Sequence, residues 1–263
     1  MPYINTTMPH LILVLAYIIL GYILTWYIVS LIARRMDVID IAWGLGFLVV
    51  AIAGALLRGS LDSRMMLVGI LVTLWSLRLA SHLFRRVRSH GEDARYGAWR
   101  KQWGKYVAIR SLVQVFLLQG LLLGIISTSI SVIMAKSTNS LGWFDLVGVI
   151  VWILGYIFEV VGDRQLQHFV AQPENRGKLM TFGLWKYSRH PNYFGELTMW
   201  WGIWLISLSV THGLLTIIAP LTITFLLRFV SGVPLLEKKY AGNPDWEIYR
   251  RKTSVLIPLP PRS

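Results

Sequence analysis

The stretch Lys186-Tyr187-Ser188-Arg189-His190-Pro191-Asn192-Tyr193-Phe194-Gly195-Glu196 gathers cations, an imidazole, an amide, two phenols and a carboxylate into eleven residues. The apolar run Leu197–Val210 follows at once. Ionisable groups at the mouth of a membrane helix cost several kcal/mol to place, so by default they mark a site. A plain interfacial anchor of basic and aromatic residues has no use for a buried glutamate. Pro191 is a helix-start signal, and Asn192 and Glu196, four apart, then share one helical face. The chemistry such a set supports is recognition of a polar, hydrogen-bonding ligand.

Other charges lie inside apolar runs: Asp40, Arg78, Glu159, Asp163 and Arg228. Gln114 and Gln119 add polarity. Glu159 and Asp163 are one helical turn apart, where like charges repel without a partner. Asp40 shares a face with Trp43 and Phe47, which makes a carboxyl beside aromatic walls. Left unpaired there it is a proton donor; paired with Arg78 it is a structural salt bridge. Lys178, Arg176, Arg164, Arg189 and Lys238 are candidate partners for the phosphates of an anionic cofactor. No Gly-x-Gly-x-x-Gly, Gly-x-Ser-x-Gly or His-Glu-x-x-His occurs, so a soluble dinucleotide fold, a serine-hydrolase elbow and a zincin site are absent. The histidines have no ligand spacing and cysteine is missing, so no metal site is expected.

The elements that must position these groups are membrane helices. Of 263 residues, 55% are hydrophobic and 15% charged, against roughly 25% charged in soluble domains. The apolar runs predict an all-α integral membrane bundle of seven helices, about 11–33, 38–57, 65–84, 107–134, 143–166, 193–210 and 213–235. They form one membrane domain over 1–263, with cytoplasmic loops 85–106 and 167–192 and a tail 236–263. No leader peptide is expected, since residues 1–10 lack a basic region. One side of the bundle carries 21 of the 26 Lys and Arg residues, which puts the N-terminus outside and the C-terminus in the cytoplasm. The net charge of +13 therefore reflects topology, and no nucleic-acid partner is implied. With this orientation the intramembrane charges fall near the cytoplasmic ends of their helices, as a polar cavity open to that side. Internal pairing among them is the structural alternative.

Arg189-His190-Pro191-Asn192-Tyr193-Phe194-Gly195-Glu196 with Trp200-Trp201-Gly202 resembles the steroid 5-alpha-reductase superfamily, in particular its bacterial branch of unknown function. So do Asp37-Val38-Ile39-Asp40-Ile41-Ala42-Trp43-Gly44, Leu74-Trp75-Ser76-Leu77-Arg78, Phe158-Glu159, Asp163-Arg164-Gln165-Leu166 and Thr253-Ser254-Val255-Leu256-Ile257-Pro258. The Arg-His-Pro element alone is shared with isoprenylcysteine carboxyl and phospholipid methyltransferases.

The resemblance implies seven membrane helices, NADPH as cofactor, and reduction of a carbon–carbon double bond conjugated to a carbonyl in a lipophilic substrate. It implies Asp40, Trp75 and Glu196 as catalytic positions. It implies Glu159, Asp163, Arg164, Lys178, Tyr187, Arg189, His190, Asn192, Tyr193 and Glu196 around the cofactor. Two departures touch the substrate: Trp75 stands where the steroid enzymes have a tyrosine, and Asp40 where they have a glutamate. Membrane lipids are the surrounding partners, no protein partner is implied, and a bacterial inner membrane is the expected location. The competing readings are an S-adenosylmethionine-dependent lipid or isoprenylcysteine-type carboxyl methyltransferase, with Glu237 as its carboxylate, and a non-enzymatic membrane partner protein.

Overall fold

The computed structural model describes residues 8–138 and 140–262. Residues 1–7, part of the stretch expected to carry no leader, lie outside the described residues, as do Asn139 and Ser263. Among the described residues the chain is all-helical, and its extended pairing is one isolated parallel bridge between Ser188 and Ser254. Among the described residues six helices are long and apolar enough to cross a membrane. The chain divides into two compact units, Met1–Gly142 with Ser207–Ile218, and Trp143–Ile206 with Ala219–Ser263.

The first unit is built on α1 (Met8–Ala33), α2 (Val38–Arg58), α3 (Ser63–Ser89), α4 (Ala94–Trp103), α5 (Val107–Ser111), α6 (Leu118–Ile126) and α7 (Thr128–Lys136). Helix α2 is its centre and packs on α1, α3 and α7. Two of its glycines let neighbours close in: a Cβ on Gly46 would stand 2.5 Å from Leu123, and one on Gly54 2.8 Å from Met134. Helix α1 instead turns Leu13, Tyr17, Ile28 and Ile32 outward, an apolar face suited to lipid.

Two expectations are corrected here. The segment 85–106 is not a loop: α3 continues to Ser89 and α4 begins at Ala94. The polar sequence stays helical because Asp93 caps α4, accepting from the Arg95 backbone N–H at 3.0 Å, and Arg86 and Arg88 favour the C-terminal end of α3. The run 107–134 is not one helix. It carries a π-helical stretch at Leu112–Leu117 and breaks between Ile126 and Thr128. Hydroxyls compete for backbone carbonyls at the break: Ser127 donates to Gly124 at 3.1 Å and Thr128 to Ile125 at 2.8 Å.

The second unit holds α8 (Trp143–Ala171), α9 (Pro191–Ser207) up to Ile206, α10 (Ile218–Phe225) from Ala219 on, α11 (Val233–Glu237) and α12 (Pro244–Lys252). Pro191 opens α9, as its position implied, and the Asn243 side chain caps α12 by accepting from Asp245 and Trp246. Helix α8 runs five residues beyond 166, to Ala171. With 17 residues, α9 extends about 25 Å, short of a hydrocarbon core of about 30 Å. Helices α8 and α9 meet along glycines spaced seven apart, Gly148, Gly155 and Gly162 against Gly195 and Gly202. A Cβ on Gly155 would stand 2.6 Å from the Gly195 carbonyl oxygen, and one on Gly202 2.7 Å from that of Gly148. Only glycine permits this approach, and it sets where the polar residues of the two helices meet.

Candidate functional site

In the second unit the glycine seam brings Asn192, in the first turn of α9, against α8. Its amide nitrogen donates to Asp163 Oδ1 at 3.0 Å. Its carbonyl oxygen is buried and accepts no hydrogen bond among the described residues. Glu159, one turn earlier on α8, is buried, and the Gly195 backbone packs directly on its own. Three carboxylate or amide residues predicted for one site thus lie on two abutting helices. Tyr193 and Glu196, half-buried, follow on α9.

His190 and Arg189 point to a third element. His190 Nε2 lies 3.1 Å and Arg189 Nε 2.9 Å from the same oxygen, Glu237 Oε1, at the end of α11. The His190 ring stacks on Tyr193 with centroids 5.5 Å apart. Arg189, only 7% exposed, also donates through Nη1 to the carbonyls of Arg250 at 2.7 Å and Thr253 at 3.0 Å. Its guanidinium therefore closes the C-terminal end of α12 and lies over the Trp246 ring. The same end is pinned by the Tyr249 hydroxyl, which donates to the Trp185 carbonyl at 2.5 Å. Arg189 does structural work that its sequence assignment to a cofactor phosphate did not foresee. Tyr187 is exposed, its ring facing the Lys186 ammonium and its carbonyl accepting from Leu259 and Ser254. Arg164 and Lys178 are exposed as well.

In the first unit Asp40 is neither unpaired nor limited to the Arg78 pairing weighed from the sequence. Its Oδ1 accepts from the Tyr96 hydroxyl at 2.7 Å, and its Oδ2 lies 3.7 Å from Arg95 Nη2. Both partners come from α4. Tyr96 is buried. The expected aromatic wall is present, since Trp43 meets Phe47 edge to face at 5.4 Å and Phe47 meets Trp75 at 5.5 Å. Trp75 itself is buried.

Asp40 also lines a cavity of about 280 Å³ with Asp37, Arg86, His90, Glu92 and Asp93. The other three carboxylates there are held by arginines. Asp37 takes two bonds from Arg35, Glu92 takes two from Arg100, and Asp93 is paired with Arg86 and Arg95. Burial alone would raise the Asp93 carboxyl. Hydrogen bonds from the Arg95 side chain and backbone, with the charges of Arg95 and Arg86, hold it down at about 2. No cluster of metal-ligating residues occurs among the described residues.

Sequence reasoning missed Tyr96 and underused Glu237. Tyr96, Trp99 and Trp103 recur at helical spacing after the Asp93 cap, a signal obscured by the arginines and lysines around them.

The family model described as "Protein of unknown function (DUF1295)" matches residues 26–253. The "Uncharacterized protein C594.04c" of Schizosaccharomyces pombe is 24% identical over 294 aligned positions, covering 97% of this chain and 81% of the yeast protein. The 3-oxo-5-alpha-steroid 4-dehydrogenase 1 of Rattus norvegicus is 34% identical over 114 residues, 43% of this chain and 41% of the rat enzyme. Its Mus musculus counterpart is 34% identical over 80 residues, 29% of this chain and 31% of the mouse enzyme. The chain thus spans less than half the length of these two mammalian relatives. With the helical architecture and the α8–α9 polar seam, these matches make the chain a multi-pass membrane protein of the DUF1295 family, within the steroid 5-alpha-reductase superfamily.

Proposed function

We propose that the protein is an NADPH-dependent membrane reductase of a carbon–carbon double bond conjugated to a carbonyl in a lipophilic, steroid-like or other lipid substrate. The observation that carries the cofactor half is the start of α9, where Asn192 Oδ1 and His190 Nδ1 are buried with no hydrogen-bond partner among the described residues. Two buried acceptors fit a donor-bearing group such as a carboxamide or a ribose hydroxyl, and NADPH offers both. Asn192, steadied by Asp163, orients the nicotinamide end, with Glu196 and Tyr193 beside it and Glu159 and Tyr187 as further contacts. The exposed cations Lys178, Arg164 and Arg176 are the reserve for its phosphates, since Arg189 is already committed to Glu237 and the α12 carbonyls. NADPH, when bound, supplies the hydride.

The substrate half rests on Asp40 and Tyr96. The Tyr96 hydroxyl donates to Asp40 at 2.7 Å, so one proton lies between a phenol and a carboxylate. A carbonyl oxygen placed there would receive that proton as negative charge develops on it, which is general-acid stabilisation of an enolate. Tyr96 thereby supplies the hydroxyl that Trp75 lacks, and Trp75, Phe47 and Trp43 become the apolar wall for a flat substrate.

A topology of seven spans, with α9 as the short one, N-terminus outside and C-terminus and site in the cytoplasm, is part of the same reading. It follows the loop charge bias. The resemblance to the bacterial branch supports an inner-membrane location. Reporter fusions after Met134 and at the C-terminus are expected on opposite sides of the membrane, and a shared side removes this topology.

The alternative, an S-adenosylmethionine-dependent lipid methyltransferase, draws on the contact of Glu237 with the Arg-His-Pro element. Calorimetry on detergent-purified protein separates the two. Saturable binding of NADPH and none of S-adenosylmethionine is expected, and the reverse result replaces the reductase.

A further inference from the structure

We propose that Glu237 is a positioning residue for His190, fixing the ring as the Nε2–H tautomer so that Nδ1 stands as a buried hydrogen-bond acceptor for the bound ligand. Glu237 Oε1 is shared by Arg189 Nε at 2.9 Å and His190 Nε2 at 3.1 Å. A guanidinium does not give up its proton, so the oxygen beside it remains an acceptor. An acceptor on Nε2 requires that Nε2 carry the hydrogen, and in a neutral imidazole this leaves Nδ1 with a bare lone pair.

The ring has little freedom to escape this role. It stacks on Tyr193 with an interplanar angle of 11°. Its own backbone N–H donates to the Ser188 hydroxyl oxygen at 3.1 Å, and the residue is 4% exposed. Nδ1 is buried and has no hydrogen-bond partner among the described residues. A buried polar atom left so is costly unless something donates to it.

Asn192 Oδ1, two residues on, is in the same condition. The two acceptors together select a ligand group with N–H or O–H donors and disfavour a bare phosphate in that place. That the donors belong to NADPH rests on the reductase reading. The role of Glu237 on the ring does not.

The discriminating variants change reach and charge separately. Glu237→Gln keeps the length of the side chain and an acceptor oxygen but loses the charge. Glu237→Asp keeps the charge for Arg189 but withdraws the oxygen by one carbon–carbon bond. The tautomer is read in the ligand-free protein by long-range proton–nitrogen NMR of histidine-labelled sample at mildly alkaline pH, with His190→Gln giving the assignment. Wild type and Glu237→Gln are expected to protonate His190 on Nε2, while Glu237→Asp gives a mixture. NADPH affinity, read by calorimetry, is expected to stay within about threefold in Glu237→Gln and to fall roughly tenfold in Glu237→Asp, the cost of one misdirected hydrogen bond. Wild-type His190 protonated on Nδ1, or on both nitrogens, overturns the proposal. So does a Glu237→Asp variant with an unchanged tautomer, which would leave Glu237 as a counter-charge for Arg189. The expected tautomers with no NADPH binding at all would support the role of Glu237 and remove the reductase reading instead.

Discussion

Asp40 and Glu237 are carboxylates near helix ends, and each touches an arginine and a second polar side chain. They are held in opposite ways. Glu237 receives Arg189 at 2.9 Å and His190 at 3.1 Å on one oxygen, and Arg189 is tied in turn to the backbone at the end of α12. Asp40 receives the neutral Tyr96 hydroxyl at 2.7 Å, and its arginine stands off at 3.7 Å, beyond hydrogen-bond range. Glu237 is thereby a fixed acceptor that organises three segments of chain. Asp40 instead accepts a phenolic proton at hydrogen-bond distance, with its arginine at ion-pair distance only. Reading both from sequence as "a buried charge in a membrane helix" misses this difference.

The comparison is broken most decisively at Tyr96. If the Asp40–Tyr96 pair is the acid, Tyr96→Phe lowers turnover of a 3-oxo-4-ene steroid or another lipophilic enone by about 10²–10⁴-fold. NADPH affinity and the melting temperature should stay near wild type. Asp40→Asn should give a loss of the same order. Retained turnover with a lowered melting temperature in both variants would make the pair structural.

At the other carboxylate the effect should appear in stability. Arg189→Leu leaves Glu237 without its cation and removes the two side-chain bonds to the end of α12, so a loss of about 3 kcal/mol is expected. Thermal unfolding in detergent measures it, together with earlier proteolysis of the segment after Glu237. An unchanged melting temperature would show that Tyr249 and the backbone bonds from Arg189 to Ser254 and from Leu259 to Tyr187 hold the tail without the Arg189 side chain.

Glu196→Gln sharpens the boundary between the two kinds of group. As a ligand contact on α9 it should weaken NADPH by roughly tenfold, one charge-assisted hydrogen bond, while the protein still folds. Equal affinity in a folded variant removes Glu196 from the cofactor site.

The smallest effect concerns Asp93, the cap of α4, which delivers Tyr96 to Asp40. Its carboxyl is held at about 2, below the usual unfolded value of about 3.9. A lowered folded value means its stabilisation is full above about pH 4 and is lost as pH falls toward about 2. The melting temperature of Asp93→Asn, compared with wild type, should therefore converge on it at the acid end of that range. A constant gap from neutral to strongly acid pH would show that the cap does not act through its charge.

Much was legible without coordinates. The length and apolarity of the runs specify membrane helices, because lipid leaves backbone polar groups no other partner. Pro191 and Asn243 announce their helix starts, since a fixed φ and a capping carbonyl act on nearest neighbours. The cluster from Arg189 to Glu196 is visible because its residue types are expensive in an apolar run. The spacing of Asp40, Trp43 and Phe47 already places a carboxyl beside an aromatic wall.

What only the tertiary structure decided are pairings between residues far apart in the chain. Tyr96 meets Asp40 across 56 positions and Glu237 meets Arg189 across 48, and no local periodicity encodes either. The α4 helix was hidden because its cap and ion pairs, not an apolar stripe, hold it. The break near Ser127 was hidden because a serine hydroxyl chooses between solvent and a carbonyl only once the surrounding helices have excluded water. Asn192 stands against Asp163 because glycines let α8 and α9 touch backbone to backbone, and that contact exists only when both helices are folded. Sequence thus fixes which residues are costly to bury, and packing decides which of them face each other and which are left with a valence for a ligand.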